Sequence, residues 1–418
     1  MRGAVTSSCL KFLALAALST ACGATVDPLG YESRPPEVVN APDSDTLQPL
    51  PAPASYPNAF RELLGKSDVE VTAQLEAAFQ RLFHGDPTAE AIYFTVGDDQ
   101  AYIQDILHGD VRSEGMGLGM LIAVQLDHRE EFDRLWRFAH ASLEYDAGSA
   151  RGHFRSTCSS GPCIDPYGHQ ELAMALLFAH GRWGSRSGRI DYGSEALRLF
   201  EVMWQTPPAA AGPDDPELTP LFDAEHWLVV DEPTRARAWM TRPSNVKPGY
   251  YGLWAIATGD DRFSQAAEAG GAFLRAAAHP RTGLLPLRAD FDGVPVPGSD
   301  SFMPEGYRAQ LNMALDFVWR DESGYVAESD RLLGFFVAQG PSYGSSYPLD
   351  GSRCINCLPS TALVAMNGVS ALSATHAERS SFVEAVWDAE PPDGDARYYD
   401  GLLHLLSLLV LSGNLRVY

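Results

Sequence analysis

Lysine is nearly absent from this chain. Lys11, Lys66 and Lys247 are its only three, and arginine supplies the rest of 31 basic residues, against 54 acidic ones. The skew towards arginine reads as a compositional bias of the genome. The formal charge of −23 excludes a nucleic-acid-binding role, which needs a basic surface. It suits neutral partners, uncharged polysaccharides among them. Cysteine is sparse, at six residues. The histidines show no His-x-x-x-His ligand spacing, so neither a catalytic metal nor a cofactor is expected. Strand-like alternation is scarce, with Ile92–Val96 the best short stretch. A sheet-based architecture is therefore disfavoured.

The first apolar run, Phe12–Leu18, follows Arg2 and Lys11 and ends in Ser19-Thr20-Ala21-Cys22. It is too short to span a bilayer and reads as a signal peptide over residues 1–21. Cys22 directly after Ala21 fits a bacterial lipoprotein site, the membrane then being reached only through a lipid anchor on Cys22. Without such an anchor the protein would be periplasmic or secreted. Residues 22–58 are rich in Pro, Asp, Ser and Ala and read as a flexible tether. Residues 59–418 form the folded domain, expected to be a monomer. Four cysteines remain in it: Cys158, Cys163, Cys354 and Cys357. In an exported chain an even number favours disulfides. Local bridges Cys158–Cys163 and Cys354–Cys357 are expected, with a four-cysteine zinc site as the alternative.

From Val69 onward apolar residues recur at helical spacing. The pattern predicts twelve helices: Val69–Phe83, Glu114–Leu126, Arg129–Tyr145, Gly168–Arg182, Tyr192–Gln205, Gly249–Thr258, Arg262–Ala278, Tyr307–Arg320, Ser323–Gln339, Ser360–Ser373, Glu378–Asp388 and Tyr398–Leu411. They alternate in character. One set carries charge on one face, as in Arg129-Glu130-Glu131-Phe132-Asp133-Arg134-Leu135-Trp136. The other set, such as Leu402–Leu411, is apolar all round and must be buried on all sides. Six inner and six outer helices in alternation make an all-α fold, an (α/α)6 barrel. The inner helices then run the same way. Their N-termini collect Glu114, Tyr167-Gly168, Asn245–Pro248, Glu305, Leu358-Pro359 and Arg397–Asp400 at one mouth. The pattern alone places a functional cleft there.

The most specific run is Asp110-Val111-Arg112-Ser113-Glu114-Gly115-Met116. An acidic residue in a first helical turn is favoured by the helix dipole, so taken alone Glu114 is a helix-start residue. The whole run resembles the general-acid segment of glycoside hydrolase family 8. Phe302-Met303-Pro304-Glu305-Gly306-Tyr307-Arg308 resembles the catalytic-base segment of that family, with Glu305 where Asp is usual. The resemblance continues through Gly168-His169-Gln170-Glu171-Leu172, His279-Pro280-Arg281-Thr282-Gly283-Leu284 and Arg397-Tyr398-Tyr399-Asp400, from about residue 75 to the C-terminus. It implies an inverting hydrolase of β-1,4-linked oligo- or polysaccharides, xylan fragments first. Glu114 would protonate the leaving oxygen and Glu305 would activate water, the two carboxyls roughly 6.5–9.5 Å apart. Arg308 would orient Glu305. Tyr307, Tyr167, Asn245, Tyr398 and Tyr399 would join Arg308 in binding sugar.

Three departures from the family pattern bear on activity. Tyr167 stands where an acidic residue is usual, although Asp165 lies two residues earlier. Asn245 replaces a Tyr that supports the attacking water, and Leu358 replaces a His that blocks the reducing-end side of the cleft. The alternative function is a catalytically weak or inactive carbohydrate-binding lipoprotein on the same barrel. A lyase or epimerase would need a His or Tyr base instead of the carboxyl pair. Trp136, Trp183, Trp254 and Trp319 read as packing residues by their helix positions.

Overall fold

The computed structural model describes residues 42–53, 55–156, 163–185, 189–210 and 217–418. The expected signal peptide and Cys22 lie outside the described residues, as does Cys158. A short helix, α1 (Ala59–Leu64), precedes the barrel. The barrel helices then follow in order: α2 (Asp68–His84), α3 (Ser113–Leu126), α4 (Arg129–Phe138), α5 (Pro166–Trp183), α6 (Tyr192–Trp204), α7 (Pro248–Thr258), α8 (Asp261–Ala277), α9 (Arg308–Arg320), α10 (Val326–Gln339), α11 (Thr361–Ser370), α12 (Arg379–Trp387) and α13 (Tyr399–Leu411). Each overlaps one of the twelve predicted helices.

Sequence character decides which ring each helix joins. In α2 the buried residues Val71, Leu75, Ala78, Phe79, Leu82 and Phe83 form one stripe, and a Ser67/Glu70 capping box closes its start. In α4 only Phe132, Leu135, Trp136 and Phe138 are buried. The inner helices are buried more completely. Every residue from Gly115 to Gln125 in α3 is buried, as is every residue from Gly401 to Leu411 in α13. Helix α3 packs on α5, α7 on α9, α9 on α11, α11 on α13, and α13 returns to α3, closing the ring. Side chains knit α5 to α7: Tyr251 Oη donates to Gln170 Oε1 at 2.7 Å, and Trp254 Nε1 lies 3.3 Å from Met174 Sδ. Trp136, Trp254 and Trp319 are buried in this packing, as their positions predict.

The structure differs from the sequence-based expectations at three places. The third helix stops at Phe138, and Ala139–Leu143 form a π turn in place of its last part. The segment expected as one short strand is the first strand of a three-stranded antiparallel sheet, β1 (Tyr93–Val96), β2 (Gln100–Asp105) and β3 (Asp110–Val111), with Tyr93 opposite Ile103 and Gln104 opposite Val111. It feeds the chain directly into α3. Finally, the end of the expected tether is docked on the barrel. Gln48 N donates to Ala257 O at 2.8 Å, Ser194 Oγ donates to Pro42 O at 2.5 Å, and Val417 N donates to Tyr56 Oη at 2.9 Å. Leu47 is buried there. Low apolar periodicity hid these contacts, which run mostly through the backbone.

Candidate active site

Glu114 owes its position to the strand before it and the helix beside it. Arg112 pairs with Asp110 at 2.9 Å and Asp105 at 3.1 Å, which fixes the turn from β3 into α3. Arg112 is thereby committed to structure. A Cβ on Gly168 would sit 2.5 Å from Glu114 N, so only glycine lets the start of α5 lie against this turn. A Cβ on Gly115 would come 2.7 Å from the Tyr398 ring, which brings α13 to the same point. The Glu114 side chain keeps 17% of its surface open.

Glu305 lies in the 3-10 turn Pro304–Tyr307 that opens α9, and it is exposed. The Tyr399 hydroxyl donates to the Pro304 carbonyl, tying α13 to this turn. Arg308, three residues on, does not turn to Glu305. Its Nη1 pairs with Glu114 Oε2 at 2.7 Å. The expectation that Arg308 orients Glu305 is thus corrected: on the first turn of an inner helix its long side chain points across the barrel mouth to α3. Burial alone would lower the Arg308 guanidinium, but Glu114 beside it, with Tyr167 and Tyr399, holds it well above the ordinary arginine range. Burial alone would lower the Arg242 guanidinium, but Asp231 first, then Asp165 and Glu305, hold it above the ordinary arginine range.

Most of the predicted sugar-binding residues are buried. Tyr307 is fully buried and its hydroxyl donates to the Ser345 carbonyl. Tyr398 is 3% exposed and Asn245 is 2% exposed. The Asn245 carbonyl accepts from Gln170 Nε2 at 3.0 Å. Tyr167 is fully buried, with the Lys247 ammonium 3.5 Å and the Arg308 guanidinium 3.8 Å from its ring centre. Such contacts are cation–π attractions, worth more when desolvated. Only Tyr399 of this set keeps partial exposure. Side chains at the ends of tightly packed inner helices point inward, which sequence position alone does not distinguish from pointing into the cleft.

Two further groups lie near this mouth without an assigned role in the sequence-based expectations, although Asp165 is the acid two residues before Tyr167 and Lys247 falls in the mouth run Asn245–Pro248. Asp165 caps α5, accepting from Tyr167 N at 3.0 Å. Burial, then the nearby Glu114, raises its carboxyl above the usual range. A raised folded-state value means that ionising Asp165 costs stability as pH rises above about 3.9, the unfolded value. Asp165→Asn should therefore be more stable than the wild type in urea at pH 7, with the difference vanishing near pH 3.5. The second group is Lys247, whose Nζ pairs with Glu171 Oε1 at 2.7 Å; the two side chains are 1% and 0% exposed. Burial pulls the Lys247 ammonium down to about 8, against the opposing pull of Glu171. Lys247→Met should destabilise the protein by about 3–5 kcal/mol by stranding the Glu171 charge, and Lys247→Met/Glu171→Leu should recover most of that loss in urea unfolding. The scarcity of lysine and the place of Asn245–Pro248 at a helix start were the sequence signals that marked this position.

Cys354 and Cys357 form a disulfide with Cα atoms 5.6 Å apart, as expected. The expected Cys158–Cys163 bridge is left open, because Cys158 lies outside the described residues. Mass spectrometry of unreduced peptides should find both bridges, and a zinc-bound or long-range pairing would contradict the sequence-based pairing. Leu358, next to the 354–357 loop, is 72% exposed.

Comparison with known proteins agrees with this geometry. Residues 107–413 match the model of the glycosyl hydrolases family 8. The chain is 35% identical over 381 residues to a reducing-end xylose-releasing exo-oligoxylanase of Paenibacillus barcinonensis, covering 87% of this chain and 97% of that protein. It is 31% identical over 381 residues to a reducing end xylose-releasing exo-oligoxylanase of Halalkalibacterium halodurans, covering 87% and 94%. The crystal structure of a family 8 xylobiose complex from Teredinibacter turnerae superposes with a TM-score of 0.82 at 34% identity, covering 87% of this chain and 98% of that one. With two ionisable carboxyl groups at the mouth of a closed helical barrel and these relatives, the chain belongs to family 8 of the glycosyl hydrolases and is a glycoside hydrolase.

Proposed function

We propose that the protein hydrolyses β-1,4-linked xylo-oligosaccharides with inversion, Glu114 serving as general acid and Glu305 as general base. One observation carries this reading. Arg308 follows Glu305 by three residues on the same inner-helix start and reaches Glu114 at 2.7 Å, so the helix starts that carry the two carboxyl groups meet at one mouth. An inverting hydrolase needs such a pair, roughly 6.5–9.5 Å apart, with room for water. The sugar class rests on the names of the relatives. Leu358, exposed where a histidine is usual, supports a reducing-end side without strict closure. A screen of the mature protein against xylo-oligosaccharides, xylan, β-glucan and chitosan tests the substrate. Turnover of xylo-oligosaccharides is expected, and no turnover of any of the four would end the reading.

A carbohydrate-binding barrel without turnover is the second reading. The salt bridge between Glu114 and Arg308 favours it, because a proton donor must reach the sugar free of a guanidinium. Sugar binding in calorimetry with no hydrolysis by the same sample would decide for it. We further infer export with a lipid anchor on Cys22, acting on oligosaccharides outside the cytoplasm. Fatty-acid labelling should be lost in Cys22→Ala, and unlabelled wild type would refute the anchor.

A further inference from the structure

A cluster of guanidinium groups lies beside the turn that faces Glu305. Two strands, β4 (Met240–Thr241) and β5 (Ala289–Asp290), pair antiparallel with Thr241 opposite Ala289. One further step of that register sets Arg242 against Arg288. Asp231 N donates to Met240 O at 2.8 Å, which brings a carboxylate underneath them. The Asp231 side chain is completely buried, and three arginines share it. Arg237 Nε donates to its Oδ2 at 2.6 Å, Arg288 Nε reaches Oδ2 at 3.1 Å, and Arg242 Nε bonds Oδ1. Glu232 stands further off, 3.4 Å from Arg237 and 3.9 Å from Arg242. Asp231 and Glu232 are the two carboxylates within 4 Å of the three arginines, and Asp165 and Glu305 act on Arg242 from further off.

Asp231 cannot saturate three forks. Each guanidinium carries five N–H donors, and among the described residues Arg288 spends its remaining contact on Ser299 Oγ at 3.3 Å. The side chains of Arg242 and Arg288 stay 19% and 18% exposed, so their unspent donors face solvent. Burial first, and then Arg242, lower the Arg288 guanidinium from the ordinary arginine range, while the carboxylates around Arg242 hold that one above it. The cluster also adjoins the mouth. Arg242 leads into the turn Pro243–Asn245, which touches the turn Pro304–Tyr307 that carries Glu305. Ser244 O of the same turn accepts from Asn312 Nδ2 of α9 at 2.9 Å.

We propose that Arg242 and Arg288 form a subsite for a sugar carboxylate, so that the cleft prefers xylo-oligosaccharides bearing a uronic-acid substituent over neutral ones. The subsite rests on the glycosidase reading given above. A planar carboxylate matches the guanidinium fork in a way no neutral hydroxyl does.

The test is calorimetric and does not depend on turnover. Glu114→Gln protein is titrated with a glucuronic-acid-substituted xylo-oligosaccharide and with the neutral oligomer of the same backbone length, at 50 mM and 500 mM salt. The acidic ligand should bind about ten- to a hundred-fold more tightly at low salt, the range of a charge-assisted bidentate contact. Salt should shrink that margin. Adding Arg288→Ala should reduce it to near one, and Arg288→Lys, which keeps the charge but loses the fork, should leave an intermediate margin and serves if the alanine variant does not fold. Equal binding of the two ligands, or no binding of the acidic one, overturns the subsite. Wild-type hydrolysis of the neutral oligomer is read in parallel. If it persists while the margin is absent, only the subsite fails; if it is absent too, the glycosidase reading fails with it.

Discussion

Glu114→Gln should lower kcat on xylo-oligosaccharides by about 10²–10⁴-fold, the range of a lost general acid. Glutamine has nearly the shape of glutamate and can still accept from Arg308, but it has no proton to give a departing sugar oxygen. Rates should fall with substrate affinity largely kept, because the loss is confined to the transition state. The substitution also removes the counter-charge of Arg308, which is only 3% exposed. The variant should therefore melt below the wild type while giving the same far-ultraviolet circular dichroism. This pairing of effects separates a catalytic Glu114 from a helix-start residue, whose loss would touch stability alone. Turnover within a factor of a few of wild type, on a substrate the wild type cleaves, would remove Glu114 from the mechanism.

Glu305→Ala should abolish turnover to a comparable degree, and Glu305→Asp should retain or exceed wild-type activity. The first follows from the need for a base that takes a proton from water. The second follows from length. Glutamate is one methylene longer than the aspartate usual in the family, and a displacement of ~1 Å can cost about a hundredfold in rate. The exposed Glu305 has room to adjust, since nothing among the described residues holds its carboxylate by a direct ion pair. Proton NMR of the first-formed product should show the anomeric configuration opposite to that of the substrate. Retained configuration would require a nucleophile closer to the acid, roughly 5–5.5 Å away. Asp165, which lies close enough for Glu114 to raise its carboxyl, would then be the residue to examine.

The alternation of one-faced and all-apolar helices made the barrel legible before any coordinates. An α-helix such as α13, with Leu402–Leu411 nearly all apolar, has only one way to escape water, and that is to be surrounded. Six such helices interleaved with six like α4 leave little architectural choice. The positions of Glu114 and Glu305 at helix starts followed from the same count, because helices that run the same way share an end. The local disulfide Cys354–Cys357 was also within reach of sequence, through spacing and compartment.

Side-chain direction was not. Whether Arg308 turns back to Glu305 or across to Glu114, and whether Tyr307 and Tyr398 meet sugar or the core, depends on rotamers set by neighbouring helices. Those neighbours lie far away along the chain, as Gly115 does from Tyr398, so no local pattern records them. The sharing of Asp231 by Arg237, Arg242 and Arg288 is of the same kind, built from a loop and a two-strand ribbon with almost no periodicity. The buried Lys247–Glu171 pair likewise joins two inner helices. Hydrophobic pattern is a property of each segment by itself, and it determined the fold, the mouth and the two carboxyl groups there. Pairing of charges is a property of segments brought together, and only the closed barrel decided which cation serves which acid.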